Sequence, residues 1–442
     1  MASSGEPALG RSVTRGHPAV STVMLGGHEE PGRKGKGRNG MRILVLGGGG
    51  FIGSHLVDRL LRDTRHDVIA FDLYDEKLED SHEHPRLTFV RGDIREEHEV
   101  LDQMVRDADQ VIDLIAHANP SLYIRIPLDV VRLNFDENLV IVESCVRHEK
   151  RLVQFSTCEV YGKTVVPLIG DGLEDPDDPR YATFQEDQSH LILGPVAKQR
   201  WIYSCAKQLL ERLLHGYGLE GRLDYTIIRP FNFIGPRIDH LPTEKDDNPR
   251  VFSHFLQSLH DGSPMRLVNG GAQRRSYTLI DDALDCILRI VENPGGVCSR
   301  EIFNIGNPDN EISIRDLALK MREIYARRWW DGVRTLPQLE DVSGEDFYGR
   351  GYDDSDRRIP DITKATALLG WRPKYGIEEV IERSMAYWFD DRDARWPNRA
   401  SAEATPGERR RRGDGSRRGV SAAAESGPTP PGAGPIAGDA LR

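Results

Sequence analysis

The chain has 442 residues, a formal net charge of −11 at pH 7 and a hydrophobic content of 38%. This length is enough for one large domain or two closely packed ones, and the acidic charge argues against nucleic acid as the main partner. The sequence has no apolar run near the roughly 20 residues of a membrane span and no apolar signal-peptide core, so we expect a cytoplasmic protein.

The two ends of the chain differ in composition from its body. Residues 1–40 are rich in Gly, Ser and basic residues, and residues 401–442 are mostly Ala, Gly, Pro, Ser and Arg, including the run Arg409–Arg412. Neither end can bury much apolar surface, so we predict a disordered extension over residues 1–40 and a disordered tail over residues 391–442. The arginine run is interpreted as part of a solvated tail, with a nucleic-acid contact as the alternative.

The chain contains five cysteines, an odd number with no CxxC pair among them. This usage predicts reduced thiols, with no disulfide framework and no metal site. The cysteines are Cys145, Cys158, Cys205, Cys286 and Cys298.

Strands and helices alternate from residue 41 to residue 230. Arg42–Leu46 is a short apolar run typical of a buried parallel strand, and the apolar residues after Gly50 recur at helix spacing. The further predicted elements are strands at Asp67–Phe71, Leu87–Val90, Gln110–Ile115, Leu152–Ser156 and Tyr225–Arg229, with a helix over Tyr203–Leu214. The alternation predicts an α/β protein with a doubly wound parallel sheet, the Rossmann fold.

After Pro230 the regular alternation ends. The predicted elements here are a helix at Val251–Leu259, strands at Met265–Val268 and Tyr277–Ile280, a helix at Asp281–Val291 and a strand at Ile302–Ile305. We expect residues 276–306 to return to the main sheet, whereas residues 312–390 look mostly helical around a polar stretch from Gly344 to Pro360. We assign residues 231–275 and 307–390 to a smaller substrate-binding lobe over the carboxyl ends of the strands.

A glycine motif follows the first predicted strand. Gly47, Gly50 and Gly53 form GxxGxxG, which allows a tight turn, a close approach to a pyrophosphate and helix–sheet packing at a helix N-terminus. Asp72 lies 19 positions after Gly53, where it can bind the ribose hydroxyls and repel a 2′-phosphate. The motif predicts NAD rather than NADP, with residues 41–230 as the NAD-binding domain. A glycine turn without a ligand is the alternative, although four consecutive glycines are costly to order.

Other residues near the strand ends complete the predicted cofactor site. Asp93 ends the third strand and could reach the adenine, or it could be a plain strand-end acid. The remaining members of the predicted set are Phe51, Ile52, Ile94, Ala116, Tyr203 and Lys207.

Tyr203 and Lys207 form a YxxxK motif on a predicted helix. Residues at i and i+4 share a helix face, so we expect the Lys207 ammonium to lower the pKa of Tyr203 and favour a phenolate. A phenolate can take a proton from a sugar hydroxyl while a hydride leaves to the nicotinamide, and the Thr157 hydroxyl could bond the sugar oxygen. This combination with the glycine motif resembles the extended short-chain dehydrogenase/reductase family, whose members act on nucleotide sugars.

Longer blocks of sequence narrow the resemblance. From Met41 to Phe389 the chain is similar to the UDP-glucuronic acid decarboxylases that form 4-ketopentoses, and more so to the UDP-apiose/UDP-xylose synthases. The blocks are Phe155–Lys163 (FSTCEVYGK), Lys198–Gln208 (KQRWIYSCAKQ), Arg229–Pro236 (RPFNFIGP) and Asp341–Asp361 (DVSGEDFYGRGYDDSDRRIPD).

The resemblance implies roles for individual residues. Glu159 and Arg358 would act at the substrate carboxylate. The residues implied to hold the uridine diphosphate are Arg200, Asn232, Arg266 and Arg275, with Tyr123 and Tyr352 beside the ligand. Arginine suits both groups because it gives bidentate, charge-assisted bonds, although each arginine alone could be a surface ion pair and Glu159 a structural acid.

The implied reaction is NAD-dependent oxidation of C4 of UDP-glucuronic acid, with Tyr203 as the base, followed by loss of the C5 carboxylate. The products would be UDP-4-ketopentose, UDP-xylose or both. Cys158 matches one of two cysteines that the resemblance assigns to apiose formation, whereas Ala118 stands in place of the other, and Cys158 could also be an ordinary buried thiol. We therefore predict decarboxylation as the main activity, with apiose/xylose synthesis as the alternative.

More distant alternatives are a nucleotide-sugar 4-epimerase or 4,6-dehydratase, and a non-catalytic NAD-sensing protein. Glu159 and Arg358 argue against the first, and the full set of Thr157, Tyr203 and Lys207 argues against the second. The family resemblance also implies a homodimer formed through two helices of each subunit.

Overall fold

The computed structural model describes residues 40–239 and 250–391, except residues 173 and 176. The predicted extension and tail therefore lie outside the described residues, apart from residues 40 and 391. The strands are β1 (Arg42–Leu46), β2 (Asp67–Asp72), β3 (Leu87–Arg91), β4 (Gln110–Asp113), β5 (Arg151–Phe155), β6 (Thr183–Phe184), β7 (Tyr225–Pro230), β8 (Phe233–Ile234), β9 (Met265–Val268), β10 (Arg274–Ser276), β11 (Thr278–Leu279), β12 (Glu301–Ile305), β13 (Glu311–Ser313), β14 (Leu339–Val342) and β15 (Arg357–Pro360). The α-helices are α1 (Phe51–Asp63), α2 (His98–Asp107), α3 (Pro120–Arg125), α4 (Pro127–Val131), α5 (Asn138–Arg147), α6 (Val166–Ile169), α7 (Ile202–Leu219), α8 (Val251–Asp261), α9 (Ile280–Glu292), α10 (Ile314–Arg328), α11 (Gly344–Tyr348), α12 (Thr363–Leu369) and α13 (Ile377–Phe389).

Seven of these strands form the main sheet in the order β3-β2-β1-β4-β5-β7-β12, and every neighbouring pair is parallel. The predicted doubly wound α/β fold is confirmed. The chain winds outward from β1 in both directions, so the strand order reverses beside β1, where open α/β sheets form a crevice for ligands.

Helices cover both faces of this sheet, which is why its central strands are apolar without alternation. On one face, Leu56 of α1 packs in the same buried cluster as Ile287 of α9. On the other face, Leu101 of α2, Ile141 of α5 and Leu210 of α7 form a second buried cluster. The two layers hold the carboxyl ends of β1, β4 and β5 rigidly at one edge.

Beside that edge lies a four-stranded sheet in the order β13-β10-β15-β6. Strands β10 and β15 run parallel, with Arg275 opposite Arg358 in the register. Two smaller sheets pair β11 with β8 and β14 with β9. The register therefore brings two arginines that are distant in sequence to neighbouring positions above the crevice.

The structure differs from the sequence prediction mainly after residue 270. The stretch from Gly344 to Pro360, predicted as a polar interruption, contains both α11 and β15. Strand β15 has the sequence RRIP. Its first two residues are charged, so the sequence lacks the apolar pattern of a buried strand, although Arg358 is only 3% exposed. The predicted strand Tyr277–Ile280 is only Thr278–Leu279, and α9 begins at Ile280.

No helix in the described ranges is long and apolar enough to cross a membrane.

Candidate active site

The glycine turn after β1 is shaped by close backbone contacts. Gly47 has φ +80°, a left-handed conformation that L side chains rarely adopt. A Cβ on Gly53 would lie 2.1 Å from the Gly47 carbonyl oxygen, so α1 can pack here only with glycine. A Cβ on Gly50 would have the Gly47 carbonyl at 3.3 Å as its sole close neighbour. Helix α1 begins after Gly50 without a side-chain cap, so its first amide groups are available to an anion such as a pyrophosphate.

Asp72 ends β2 beside this turn. Its Oδ2 atom accepts a hydrogen bond of 2.9 Å from the Gly49 amide, and Oδ1 accepts one of 3.2 Å from the Tyr74 amide. Burial raises the pKa of Asp72, while these backbone hydrogen bonds act in the opposite direction. The carboxylate thus ties the glycine turn to the end of β2, the position predicted to meet the ribose.

A cavity of about 240 Å³ opens between the turn and the neighbouring strand ends. Asp93 faces it, but Arg95 binds the Asp93 carboxylate through Nε at 2.9 Å. The predicted cofactor residues that line this cavity are Gly47, Gly50, Asp72, Asp93, Ile94 and Ala116. The glycine turn, the open helix N-terminus and the cavity together fit a dinucleotide.

A second cavity of about 300 Å³ adjoins the first, because Leu114 and Ala116 line both. It lies between the carboxyl ends of the main sheet and the smaller sheets. The predicted residues that line it are Phe51, Ile52, Ala116, Tyr123, Thr157, Cys158, Glu159, Arg200, Tyr203, Asn232, Arg266, Arg275, Tyr352 and Arg358. The structure therefore brings the implied substrate residues together, while Lys207 lies outside this lining.

Tyr203 and Lys207 are both buried on α7. The Lys207 ammonium donates to Asn138 Oδ1 at 3.0 Å and to the Phe155 carbonyl at 3.2 Å. Tyr203 shares a hydrogen bond with Thr157, which follows β5 in the chain after Ser156. The Thr157 hydroxyl also accepts a hydrogen bond of 3.1 Å from the Glu159 amide. The motif thus connects α7 to the end of β5, with the phenol facing the cavity and the ammonium beneath it.

The expected lowering of the Tyr203 pKa is not observed. Burial raises the pKa of Tyr203, and the negative charge of Glu159 raises it further. The Thr157 hydrogen bond and the charge of Arg200 oppose this rise without overcoming it. The prediction was wrong because helix spacing alone does not account for desolvation, and because the Lys207 ammonium is bonded to Asn138 and the backbone instead.

Glu159 and Arg200 form a buried ion pair, although the resemblance implied separate tasks for them. Arg200 donates from Nη1 and Nη2 to the two Glu159 oxygens at 2.6 and 2.7 Å. Burial by itself would raise the pKa of Glu159, but Arg200 outweighs it and the pKa is lowered. Both groups are therefore charged, and the Arg200 guanidinium is largely committed to Glu159.

Asp354 is the second carboxylate of the site, and its side chain is 18% exposed. Its Oδ2 accepts from Arg275 Nη2 at 2.8 Å and from the Tyr352 hydroxyl at 3.1 Å. Its Oδ1 accepts from Arg358 Nη2 at 3.3 Å and lies 3.9 Å from Arg200 Nη2. Burial would raise the pKa of Asp354, but the surrounding arginines hold it far below its ordinary value.

Arg358 is bonded less closely than the other two buried arginines, because its shortest hydrogen bond is 3.3 Å, against 2.6 Å for Arg200 and 2.8 Å for Arg275. Its Nη1 contacts the Cys158 sulfur at 3.7 Å, and its Nε is buried without a hydrogen-bond partner. Burial raises the pKa of the Cys158 thiol, and the Arg358 charge opposes that rise. A guanidinium with spare donors therefore faces the cavity next to a protonated thiol.

The other predicted residues occupy the periphery of the same cavity. The Tyr123 ring stacks on Tyr203 with 4.8 Å between centroids, and Arg200 lies 5.1 Å above the Tyr123 ring. Asn232 donates to the Ser276 carbonyl at 3.0 Å. Arg266 is half-exposed and lies 3.4 Å from Glu340, so it is the most solvated arginine of the predicted set.

Several residues of the cavity were not singled out from the sequence, and Asp354, Tyr348 and His254 are three of them. Asp354 lies in an acidic run directly before Arg357 and Arg358, which is a signal for local pairing. Tyr348 stacks on Tyr352 at 4.4 Å, and His254 Nε2 accepts the Arg266 amide at 3.1 Å. Burial lowers the pKa of His254 to about 4, so it is neutral at pH 7. Nothing in the local sequence marks Tyr348 or His254 as cavity residues.

Comparisons with known proteins agree with this geometry. The sequence model of the NAD dependent epimerase/dehydratase family matches residues 43–306. UDP-D-apiose/UDP-D-xylose synthase 1 of Arabidopsis thaliana is 42% identical over 356 residues, covering 78% of this chain and 91% of the relative. The corresponding synthase of Oryza sativa subsp. japonica is 41% identical, and the match covers 78% of this chain and 89% of the relative.

Among solved structures, the PbgP3 protein of Burkholderia pseudomallei has a TM-score of 0.69 and 36% sequence identity, covering 80% of this chain and 98% of that one. The relatives favour the predicted alternative, apiose/xylose synthesis, over decarboxylation alone.

We expect Gly53→Ala to weaken NAD binding about tenfold or more, because the new methyl group displaces the turn that meets the pyrophosphate. The matched control is Gly216→Ala in α7, where a Cβ meets nothing within 4 Å. That control should retain NAD affinity and gain up to about 1 kcal/mol in the free energy of unfolding. Calorimetric titration with NAD and urea unfolding measure both effects, and wild-type affinity in Gly53→Ala would contradict the assigned turn.

Proposed function

Since the chain belongs to the NAD dependent epimerase/dehydratase family, we propose that it converts UDP-glucuronic acid into UDP-D-xylose and UDP-D-apiose. The observation that carries this proposal is the buried arginine cluster beside Tyr203. Among the described residues, Arg200, Arg275 and Arg358 pair with two carboxylates, Glu159 and Asp354, which leaves one surplus positive charge in this cluster. The other two arginines of the cavity have carboxylates of their own, Asp239 for Arg250 and Glu340 for Arg266.

A surplus buried cation favours a substrate that brings its own anion to the sugar end of the site. Arg358 provides that cation next to Cys158, so a sugar carboxylate is the fitting group. Guanidinium and carboxylate form paired, charge-assisted hydrogen bonds, which distinguishes a uronic acid from a neutral hexose. The names of the relatives supply the uridine diphosphate part of the proposal.

In the first stage Tyr203 takes the proton of the C4 hydroxyl, and Thr157 holds the same oxygen by a hydrogen bond. NAD, when bound, supplies the hydride acceptor for this oxidation. Tyr203 can take this proton only as a phenolate. Burial raises the pKa of Tyr203, and the nearby positive charge of Arg200 favours the phenolate against that rise.

In the second stage the bond between C5 and the carboxylate breaks, and its electron pair passes to the C4 ketone as an enolate. Carbon dioxide leaves, and a proton returns to C5. Arg358 holds the carboxylate before the bond breaks. The Glu159–Arg200 pair is neutral as a whole, so it adds no second cation to bind the carboxylate.

The hydride and proton removed from C4 in the first stage must return to the pentose to give UDP-xylose, and the two candidate functions differ in what else happens to the 4-ketopentose. Formation of apiose rearranges the carbon skeleton, and the thiol of Cys158 lies in the cavity where such a step would take place. Ala118 lines the same cavity where the resemblance assigns a second cysteine to apiose-forming enzymes. Ala118 is the observation that favours the second candidate, a decarboxylase that yields only UDP-4-ketopentose and UDP-xylose.

We expect the purified protein to release carbon dioxide from UDP-glucuronic acid in the presence of NAD, with both pentoses identified by NMR. Cys158→Ser should abolish apiose formation and retain xylose, whereas Cys205→Ser, exposed on α7, should leave the product ratio unchanged. UDP-xylose alone from the wild type would select the second candidate. Absence of carbon dioxide would overturn both.

We expect Tyr203→Phe to reduce NADH formation about 100-fold or more while NAD affinity stays within about threefold of wild type, because the variant loses only the proton-accepting oxygen. Rapid-mixing measurements of NADH absorbance and titration with NAD provide the two readouts. Turnover at the wild-type rate would remove Tyr203 from the role of base.

We also propose that the protein is a homodimer through the exposed side of α7. Leu209 on α7 is 52% exposed and Leu128 on α4 is 67% exposed in the single chain, so both leave apolar surface to cover. Leu209→Glu should convert a dimer into a monomer in size-exclusion chromatography with light scattering. A wild-type mass of one chain would contradict the proposal.

Cytoplasmic residence is part of the same proposal. All five cysteines are free, and a buried thiol such as Cys158 stays reduced most readily in a reducing compartment.

A further inference from the structure

The charge balance of the arginine cluster depends on Asp354, a residue that takes no direct part in the proposed reaction. Arg200 is neutralised by Glu159 through two short hydrogen bonds. Asp354 remains to balance both Arg275 and Arg358, and it can neutralise only one of them. Without Asp354 the cluster would hold two surplus positive charges instead of one.

Asp354 is held firmly in its position. Each carboxylate oxygen accepts at least two hydrogen bonds, because the Ser355 amide also donates to Oδ1 at 2.8 Å. Arg275 is otherwise bonded to backbone carbonyls, including that of Arg274 at 2.8 Å, so the surplus charge is located mainly on Arg358. Asp354 therefore sets both the orientation of Arg358 and the strength with which Arg358 attracts an anion.

We propose that Asp354 is a positioning residue that weakens the binding of the substrate carboxylate by Arg358, so that the carboxylate is recognised but can still leave as carbon dioxide. This inference rests on the proposed decarboxylation of a uronic acid. It assigns to Asp354 a role in tuning one step, without contact with the reacting atoms.

The physical reason lies in how charge moves during decarboxylation. The carboxylate loses its negative charge as the C5–carboxylate bond breaks and the electron pair moves toward the C4 oxygen. A cation that binds the ionised carboxylate more strongly stabilises the ground state more than the transition state, which lowers KM and kcat together. A neighbouring negative charge on Asp354 reduces this ground-state stabilisation.

Asp354→Asn should bind UDP-glucuronic acid about tenfold more tightly, whereas UDP-glucose binding should change by less than about threefold. Release of carbon dioxide in a single turnover should slow about tenfold, while NADH formation keeps its rate, so NADH accumulates transiently. The experiment uses the NAD-loaded protein, calorimetric titration for the two nucleotide sugars and rapid mixing for the two steps.

The matched control is Asp353→Asn on the same loop. Asp353 binds Lys163 at 2.7 Å and the Trp201 indole at 3.0 Å, and it accepts a hydrogen bond of 3.0 Å from the Asp354 amide. It therefore holds the same loop without pairing with Arg275 or Arg358. The Asp353→Asn variant removes one negative charge and loosens the loop, but it leaves the charge balance of the arginine cluster unchanged. A similar tightening in Asp353→Asn would assign the effect to loop loosening and overturn the proposal.

A charge-compensating cycle covers the case in which Asp354→Asn does not fold. Arg275→Gln removes one cation, so that Asp354 neutralises Arg358 and no surplus charge remains, and it should weaken UDP-glucuronic acid binding about tenfold. Adding Asp354→Asn should restore the binding to within about threefold of wild type. Unchanged or weaker binding in Asp354→Asn, or no restoration in the double variant, overturns the proposal. If the wild type releases no carbon dioxide, the proposed function fails, and the binding comparisons still decide whether Asp354 controls anion affinity.

Discussion

The need to compensate three buried guanidinium groups shapes the part of the molecule above the sheet. An isolated buried cation costs several kcal/mol, so each arginine must meet a carboxylate or remain as a site for an anion. The pairing of β10 with β15 places Arg275 opposite Arg358, and the loop before β15 supplies Asp354 to both. The local sequence of this lobe is polar because it carries these pairs.

The cofactor side of the crevice follows a different constraint, that of close backbone packing. Gly53 is required because α1 lies against the Gly47 carbonyl, and the same contact points the first amides of α1 toward the cavity. The two constraints meet at Leu114 and Ala116, which line both cavities. The glycine turn and the arginine cluster therefore share one wall, which fixes the position of one cavity relative to the other.

Much of the fold and part of the site follow from local sequence. The buried strands, the glycine turn and the YxxxK motif are each encoded within a few residues, so their patterns predict them. The role of Asp354 and the existence of β15 depend on partners far away in the chain, and the charges of Arg357 and Arg358 hide the strand. The pKa of Tyr203 was predicted wrongly because desolvation depends on everything packed around the phenol.

Under the proposed function, the charge balance also bears on how one site would serve two outcomes after loss of the carboxylate. Release of carbon dioxide would remove the anion held by Arg358, which would leave the surplus positive charge beside Cys158. A nearby guanidinium opposes the rise in the pKa of that thiol and makes its thiolate more accessible. The same cation can thus recognise the acid in the first half of the reaction and assist sulfur chemistry in the second.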